Sequence, residues 1–125
     1  MKSVQIGSKF IGDKFPCYVV AEIGNLFKNF DEAKRLIDSA LEMKIDAIKF
    51  QTWDAETLTT KKNLFDLEVT GNVSQYEFHK NIQISQELQF NILEYARKKN
   101  LTIFSAPSHM NDLEIKAKRK KLYAA

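Results

Sequence analysis

Apolar residues alternate with polar ones at Val4–Ile6 and again at Phe10–Ile11, with Gly7-Ser8-Lys9 between them and Gly12-Asp13 after. That spacing predicts a small β-hairpin, closed by Pro16. From Cys17 to Gly24 the pattern changes to a continuous β-branched and aromatic run, Cys17-Tyr18-Val19-Val20-Ala21-Glu22-Ile23-Gly24. Such a run predicts a strand covered on both faces, with Cys17 buried at its start. Between Phe30 and Lys44, the residues Ala33, Leu36, Ile37, Ala40 and Leu41 recur at three and four positions, one apolar stripe of a helix. Asn29 or Asp31 can cap it, and Asp31 and Glu32 suit the positive end of its dipole.

Ala47–Thr52 reads as a second strand. Residues 54–73 form a long polar connection, a length that in compact domains goes with function or mobility. Ser74 and Glu77 have the spacing of a capping box that opens a short helix. Ser85 starts a longer helix with Leu88, Ile92, Tyr95 and Ala96 on its buried face, and Asn100 can close it in the left-handed conformation. Leu101–Ala106 is a third strand ended by Pro107. Asn111 or Asp112 begins a helix running to about Lys121, and Leu122–Ala125 opens a fourth strand.

The alternation of strands and helices gives an α/β fold of parallel strands with right-handed crossovers. The 125 residues hold one domain, with residues 1–16 as the hairpin and 17–125 as about three and a half βα units. A complete barrel of eight such units needs about 250 residues. The expectation is therefore an incomplete barrel of the TIM type.

Charge changes the picture only locally. The net charge is +3, yet Lys116, Lys118, Arg119, Lys120 and Lys121 supply five positive charges without an acid among them. Without those five, the 19 Lys and Arg fall to 14 against 16 Asp and Glu, a net of −2. The cluster reads as a solvated helix end rather than a nucleic-acid patch, because no aromatic residues alternate with the basic ones. One cysteine excludes an internal disulfide framework and a multi-cysteine zinc site. No secretory leader and no apolar run of transmembrane length is found, so the expectation is a cytoplasmic protein without a membrane or nucleic-acid partner.

Ligands of parallel α/β sheets bind at the C-terminal ends of the strands. Those ends carry Glu22 on the first strand, Lys49 and Gln51 on the second, and Ser105, Ser108 and His109 on the third. A lysine inside an apolar strand is unfavourable unless paired or bound to an anion. Lys49 thus reads either as a partner of Glu22 or as a cation that receives an anionic substrate. Gln51, two residues on, faces the same side.

A family resemblance rests on these same residues. Tyr18-Val19-Val20-Ala21-Glu22-Ile23-Gly24 resembles the first barrel strand of the sialic acid synthases, and Ile48-Lys49-Phe50-Gln51-Thr52 their second. Gly71-Asn72 with Ser74-Gln75-Tyr76-Glu77 is similar to the following loop and helix, and Phe104-Ser105-Ala106-Pro107-Ser108 to the third strand and turn. The resemblance implies condensation of phosphoenolpyruvate with an N-acetylated amino sugar such as N-acetylmannosamine, giving a sialic or related nonulosonic acid and phosphate. It implies a divalent cation, Mn2+ or Mg2+, whose ligands lie outside this chain, and a homodimer for the complete enzyme. By position, Glu22 and Lys49 would be catalytic, and Gln51, Asn72, Ser105 and Ser108 would bind substrate.

Two positions depart from the family pattern. Ala106 stands where many members have a threonine whose hydroxyl touches phosphate, and Asn25-Leu26-Phe27-Lys28-Asn29 replaces a segment usually rich in Asn and His. His79 and His109 match none of the family's metal histidines; His79 reads as packing, His109 as a loop or cap residue, and Trp53 as packing. Beside the synthase, two other readings stay open: a non-catalytic truncated barrel or small α/β binding module, and another phosphoenolpyruvate-dependent sugar-acid synthase. In each case the isolated chain is expected to be inactive.

Overall fold

The structure, a computed structural model, describes residues 3–69, 71–114 and 117. Its N-terminal hairpin pairs β1 (Val4–Ile6) with β2 (Lys9–Ile11) in antiparallel register, Val4 opposite Ile11. Asp46 anchors this hairpin: its carboxylate receives the Lys9 ammonium and, at 2.7 Å, the Val19 amide. The Lys9 hydrogen bond and then the Val19 N–H hold the Asp46 carboxyl below its ordinary range, against the upward push of burial.

The central sheet is parallel, in the order β3 (Val20–Gly24), β4 (Ala47–Thr52) and β7 (Thr102–Pro107). Between β3 and β4 runs α1 (Phe30–Glu42), capped by the Asn29 side chain, which accepts from the Glu32 amide at 3.0 Å. The helix ends two residues before the expected Lys44, which itself turns the chain at φ 56°. Between β4 and β7 lie α2 (Ala55–Leu58), a second hairpin of β5 (Leu64–Leu67) and β6 (Gly71–Ser74), then α3 (Gln75–Ile82) and α4 (Gln86–Lys98).

The segment expected to be one long polar connection therefore carries a helical turn and a hairpin. Ser74 and Ser85 cap α3 and α4 by accepting from the Glu77 and Leu88 amides at 3.3 and 3.1 Å. Asn100 adopts φ 57°, and the amide of Leu101 reaches back to the Ala96 carbonyl, closing α4.

The two helices cover one face of the sheet. Ala33, Ile37 and Ala40 of α1 and Ile92 and Ala96 of α4 meet Ile48 and Phe50 in one buried cluster. Leu88 and Tyr95 pack only at its margin, while Gln89 is buried and donates to the Ile84 carbonyl at 3.4 Å. Because side chains alternate along a strand, Lys49 and Gln51 project from the opposite face of β4.

That second face corrects the expectation for the first strand. β3 begins at Val20 rather than Cys17, pairs with β4 alone among the described residues, and leaves Val20 and Glu22 exposed. Cys17 lies ahead of the strand and is exposed, not buried. Its place in an apolar run misled because β-branched patterning does not say which face finds a neighbour.

The chain is helical again over 110–114. The expected course of that helix to Lys121, the basic cluster around it and the fourth strand over Leu122–Ala125 lie outside the described residues. The parallel α/β order stands. The sheet of the described residues has three strands, so closure into a barrel remains an expectation.

Candidate functional site

Parallel pairing puts Glu22 directly opposite Lys49. The Lys49 ammonium meets the Glu22 Oε2, and Glu22 Oε1 accepts the Gly24 amide at 2.9 Å. The register slips by one residue between Glu22 and Gly24, a bulge that turns the strand end and leaves Gly24 at φ 50°. A side chain would be strained there, so the glycine is what lets the backbone amide fold back onto the carboxylate. Burial pushes the Glu22 carboxyl up, but the Lys49 hydrogen bond, the Gly24 amide and the Lys49 charge together hold it below the ordinary range. Glu22 is thus an ionised carboxylate near neutral pH, and half of its side chain is accessible.

Gln51 lies one strand repeat beyond Lys49 on the same face and stands opposite Ala106. On that face of β7 the pairing adds Phe104, opposite Lys49. Ser105 is paired with Phe50, whose side chain is buried under the helices, so its side chain belongs to the helix-covered face. The structure does not bring Ser105 to Lys49. Ser108 is at the strand end, where its amide and hydroxyl both donate to the Thr52 carbonyl, at 3.0 and 3.2 Å. Asn72 is exposed on β6 opposite Asp66 of β5, in a sheet of its own.

A cavity of about 540 Å³ opens at the C-terminal ends of β4 and β7. Gln51, Ala106 and Ser108 form its sheet side; Trp53, Phe78 and His79 form an aromatic side. The Trp53 indole N–H donates to the His79 carbonyl at 3.1 Å, which fixes the ring at the cavity edge. The His79 ring makes edge contacts with Trp53, Phe65 and Phe78 at centroid distances of 5.5, 5.8 and 5.5 Å. Burial holds the His79 imidazole below its ordinary pKa. This aromatic group escaped the sequence reading because its members come from β5, α3 and the end of β4; Phe65, Phe78 and His79 share no single period.

His109 accepts the Asn111 amide on Nδ1 at 3.2 Å, a capping contact at the start of the helical segment. Among the described residues no three His, Cys, Asp or Glu side chains gather where a metal ion could be held. No described helix is long and apolar enough to cross a membrane.

The profile of the NeuB family matches residues 36–121. Among curated proteins, the chain is similar to the N,N'-diacetyllegionaminic acid synthase of Legionella pneumophila, at 32% identity over 105 residues, which are 79% of this chain and 29% of the relative. It is 31% identical over 107 residues to the spore coat polysaccharide biosynthesis protein SpsE of Bacillus subtilis, covering 84% of the chain and 29% of the relative. The N-acetylneuraminate-9-phosphate synthase of Mus musculus is 28% identical over 111 residues, 86% of the chain and 30% of the relative. The fold is similar to a crystal structure of N-acetylneuraminic acid synthetase from Leptospira borgpetersenii, with TM-score 0.71 and 24% identity, over 90% of this chain and 36% of that one. The chain spans about a third of the length of the curated relatives it matches.

Proposed function

The chain belongs to the NeuB family, and on that premise we propose that it supplies the first βα units of a barrel synthase. The reaction joins phosphoenolpyruvate to an N-acetylated amino sugar of the N-acetylmannosamine class and releases phosphate. Its relatives include synthases of N-acetylneuraminate 9-phosphate, legionaminic acid and pseudaminic acid derivatives. The observation that carries the reading is the Glu22–Lys49 pair, set opposite each other on neighbouring parallel strands and facing away from the helices.

In this reading the enol carbon of phosphoenolpyruvate attacks the sugar aldehyde, forming the new C–C bond. Water adds to the resulting oxocarbenium carbon, and phosphate leaves with cleavage of its C–O bond. Lys49 offsets the negative charge of phosphoenolpyruvate, and the ionised Glu22 stabilises the cationic carbon or orients the water. Gln51 hydrogen-bonds the sugar from the same face. Asn72 and Ser108 belong to the proposed substrate shell by sequence position; Ser105, whose side chain lies on the helix-covered face, does not. Ala106 brings no hydroxyl to its strand end, so the phosphate contact that a threonine would make there is missing.

A divalent cation belongs to the complete enzyme in this reading, as do a cytoplasmic location and a homodimer. None of the described residues is assigned to the cation. The test is an assay of phosphate release from phosphoenolpyruvate and N-acetylmannosamine by the full-length natural polypeptide, with and without Lys49→Ala. Loss of activity in the variant is expected; wild-type kcat/KM in the variant removes Lys49 from the reaction.

A second reading, a non-catalytic piece, draws on the sheet itself. Among the described residues β3 and β7 each pair on one side only. An open edge is a liability for an independent protein. A cooperative thermal melt of an isolated, monodisperse 125-residue chain would favour a self-standing module. The third reading, a related phosphoenolpyruvate-dependent synthase, is separated by sugar specificity.

A further inference from the structure

Between β3 and α1 the chain makes a tight turn. The amide of Leu26 donates to the Ile23 carbonyl at 3.1 Å, with Gly24 and Asn25 at the corner. Gly24 enters the turn at φ 50°, a conformation that favours glycine. The flanks are buried, Ile23 and Phe27 both lying in the core cluster. The corner has no such packing: a Cβ on Gly24 would meet nothing within 4 Å, and Leu26 is 79% exposed.

One peptide unit connects this turn to the Glu22 carboxylate. The Ile23 carbonyl and the Gly24 N–H belong to the same planar group. Its oxygen accepts the Leu26 amide, and its N–H donates to Glu22 Oε1 at 2.9 Å. Rotating the unit to break one of these bonds turns the other away. The aim of the Gly24 N–H at Glu22 therefore depends on the turn keeping its shape.

Asn25 ties the corner to the body of the fold. Its Nδ2 donates to the Ile82 carbonyl at 3.2 Å, 57 residues along the chain. Ile82 is the last residue of α3, where helix carbonyls have no partner within the helix itself. The direction of the amide follows from its partner, since only the NH2 end can face a carbonyl oxygen.

We infer that Asn25 is a positioning residue for the Glu22 carboxylate: its bond to Ile82 holds the Ile23–Gly24 peptide in the orientation that fixes Oε1, while Lys49 holds Oε2. This rests on the synthase reading above, in which Glu22 stabilises a cationic carbon or orients the water. Asn25 acts through Gly24. The same α3 lines the cavity with Phe78, His79 and Ile82, so the cavity wall and the carboxylate share one anchor.

The experiment uses the full-length natural polypeptide. Asn25→Ala removes the donor. Asn25→Ser keeps a residue suited to turns but too short to reach Ile82, and carries the test if the alanine variant does not fold. Leu26→Ala alters the exposed side of the same turn and leaves the tie intact. In the Asn25 variants the pH midpoint of the Glu22 carboxyl, read by 13C NMR, is expected to rise, because the Gly24 N–H that favours its charged form loses its aim. In the same variants kcat for phosphate release should fall roughly tenfold, with KM for phosphoenolpyruvate within about twofold, as for a misaimed transition-state contact. Leu26→Ala should change neither. An unshifted Glu22 titration, a shifted titration with wild-type kcat, or an equal change in Leu26→Ala overturns the inference and leaves the condensation reaction standing. If the wild type condenses no sugar, the synthase reading falls, and the Glu22 titration alone decides whether Asn25 positions the carboxylate.

Discussion

Glu22 engages both of its carboxylate oxygens, one with the Lys49 ammonium across the strand pair and one with the Gly24 amide two residues ahead. The first contact depends on strand register and the second on a bulge with a positive-φ glycine. The carboxylate is thereby held in place by groups that all favour its charged form.

The pH dependence follows from the direction of that shift. A carboxyl whose pKa is lower folded than unfolded stabilises the fold above its unfolded value, near ~4.3 for glutamate, and loses that contribution as pH falls through the folded value. Replacing Lys49 with methionine removes the strongest favourable partner. The Glu22 pKa should then rise toward or above the ordinary carboxylate value, as read by 13C NMR titration of the side chain. An unchanged titration would show that Gly24 alone sets it.

For catalysis, Lys49→Ala in the full-length polypeptide should lower kcat/KM by about 100-fold or more, corresponding to ~3 kcal/mol of lost electrostatic stabilisation. Lys49→Arg should recover little, because the wider guanidinium does not reproduce a compact ammonium between β3 and β4. Steady-state phosphate-release kinetics measure both.

The isolated 125-residue chain should release no phosphate from phosphoenolpyruvate with N-acetylmannosamine present. Release above the no-protein rate by the purified chain would contradict the reading that the site needs further strands.

The hairpin anchor is separable from the site. Asp46→Ala should free Lys9 and the Val19 amide at once and lower the melting temperature, whereas Lys9→Ala removes only the more exposed partner and should lower it less. Hydrogen exchange at Val19 should accelerate in the first variant and stay slow in the second.

In the core, Ile92→Ala should destabilise by about 2–5 kcal/mol, since its side chain is fully buried between α4 and the sheet. Urea unfolding gives the figure. A loss under 1 kcal/mol would mean that α4 relaxes into the space.

Local patterning made most of this architecture legible. The apolar stripe of α1, the serine caps of α3 and α4, the left-handed Asn100 and the second strand over Ala47–Thr52 all depend on neighbours within a few residues, and each is present where the pattern puts it. The hairpin of β5 and β6 was not legible, because Leu64–Leu67 and Gly71–Ser74 alternate too briefly within a polar stretch to separate from a loop. Cys17 was misplaced because burial depends on what lies against a strand, not on the strand's own residues.

The sequence by itself determined that parallel βα units are formed and that Glu22 lies on the first strand and Lys49 and Gln51 on one face of the second, since a period of two and a period of 3.6 are properties of the chain alone. Only the tertiary structure decided which of these residues meet. Register set Glu22 against Lys49 and turned Ser105 toward the helices, and packing of α3 against the end of β4 brought His79, Trp53 and Phe78 to one cavity. Such meetings join residues far apart in sequence, and no local pattern encodes the pairing of two strands or the landing of a helix.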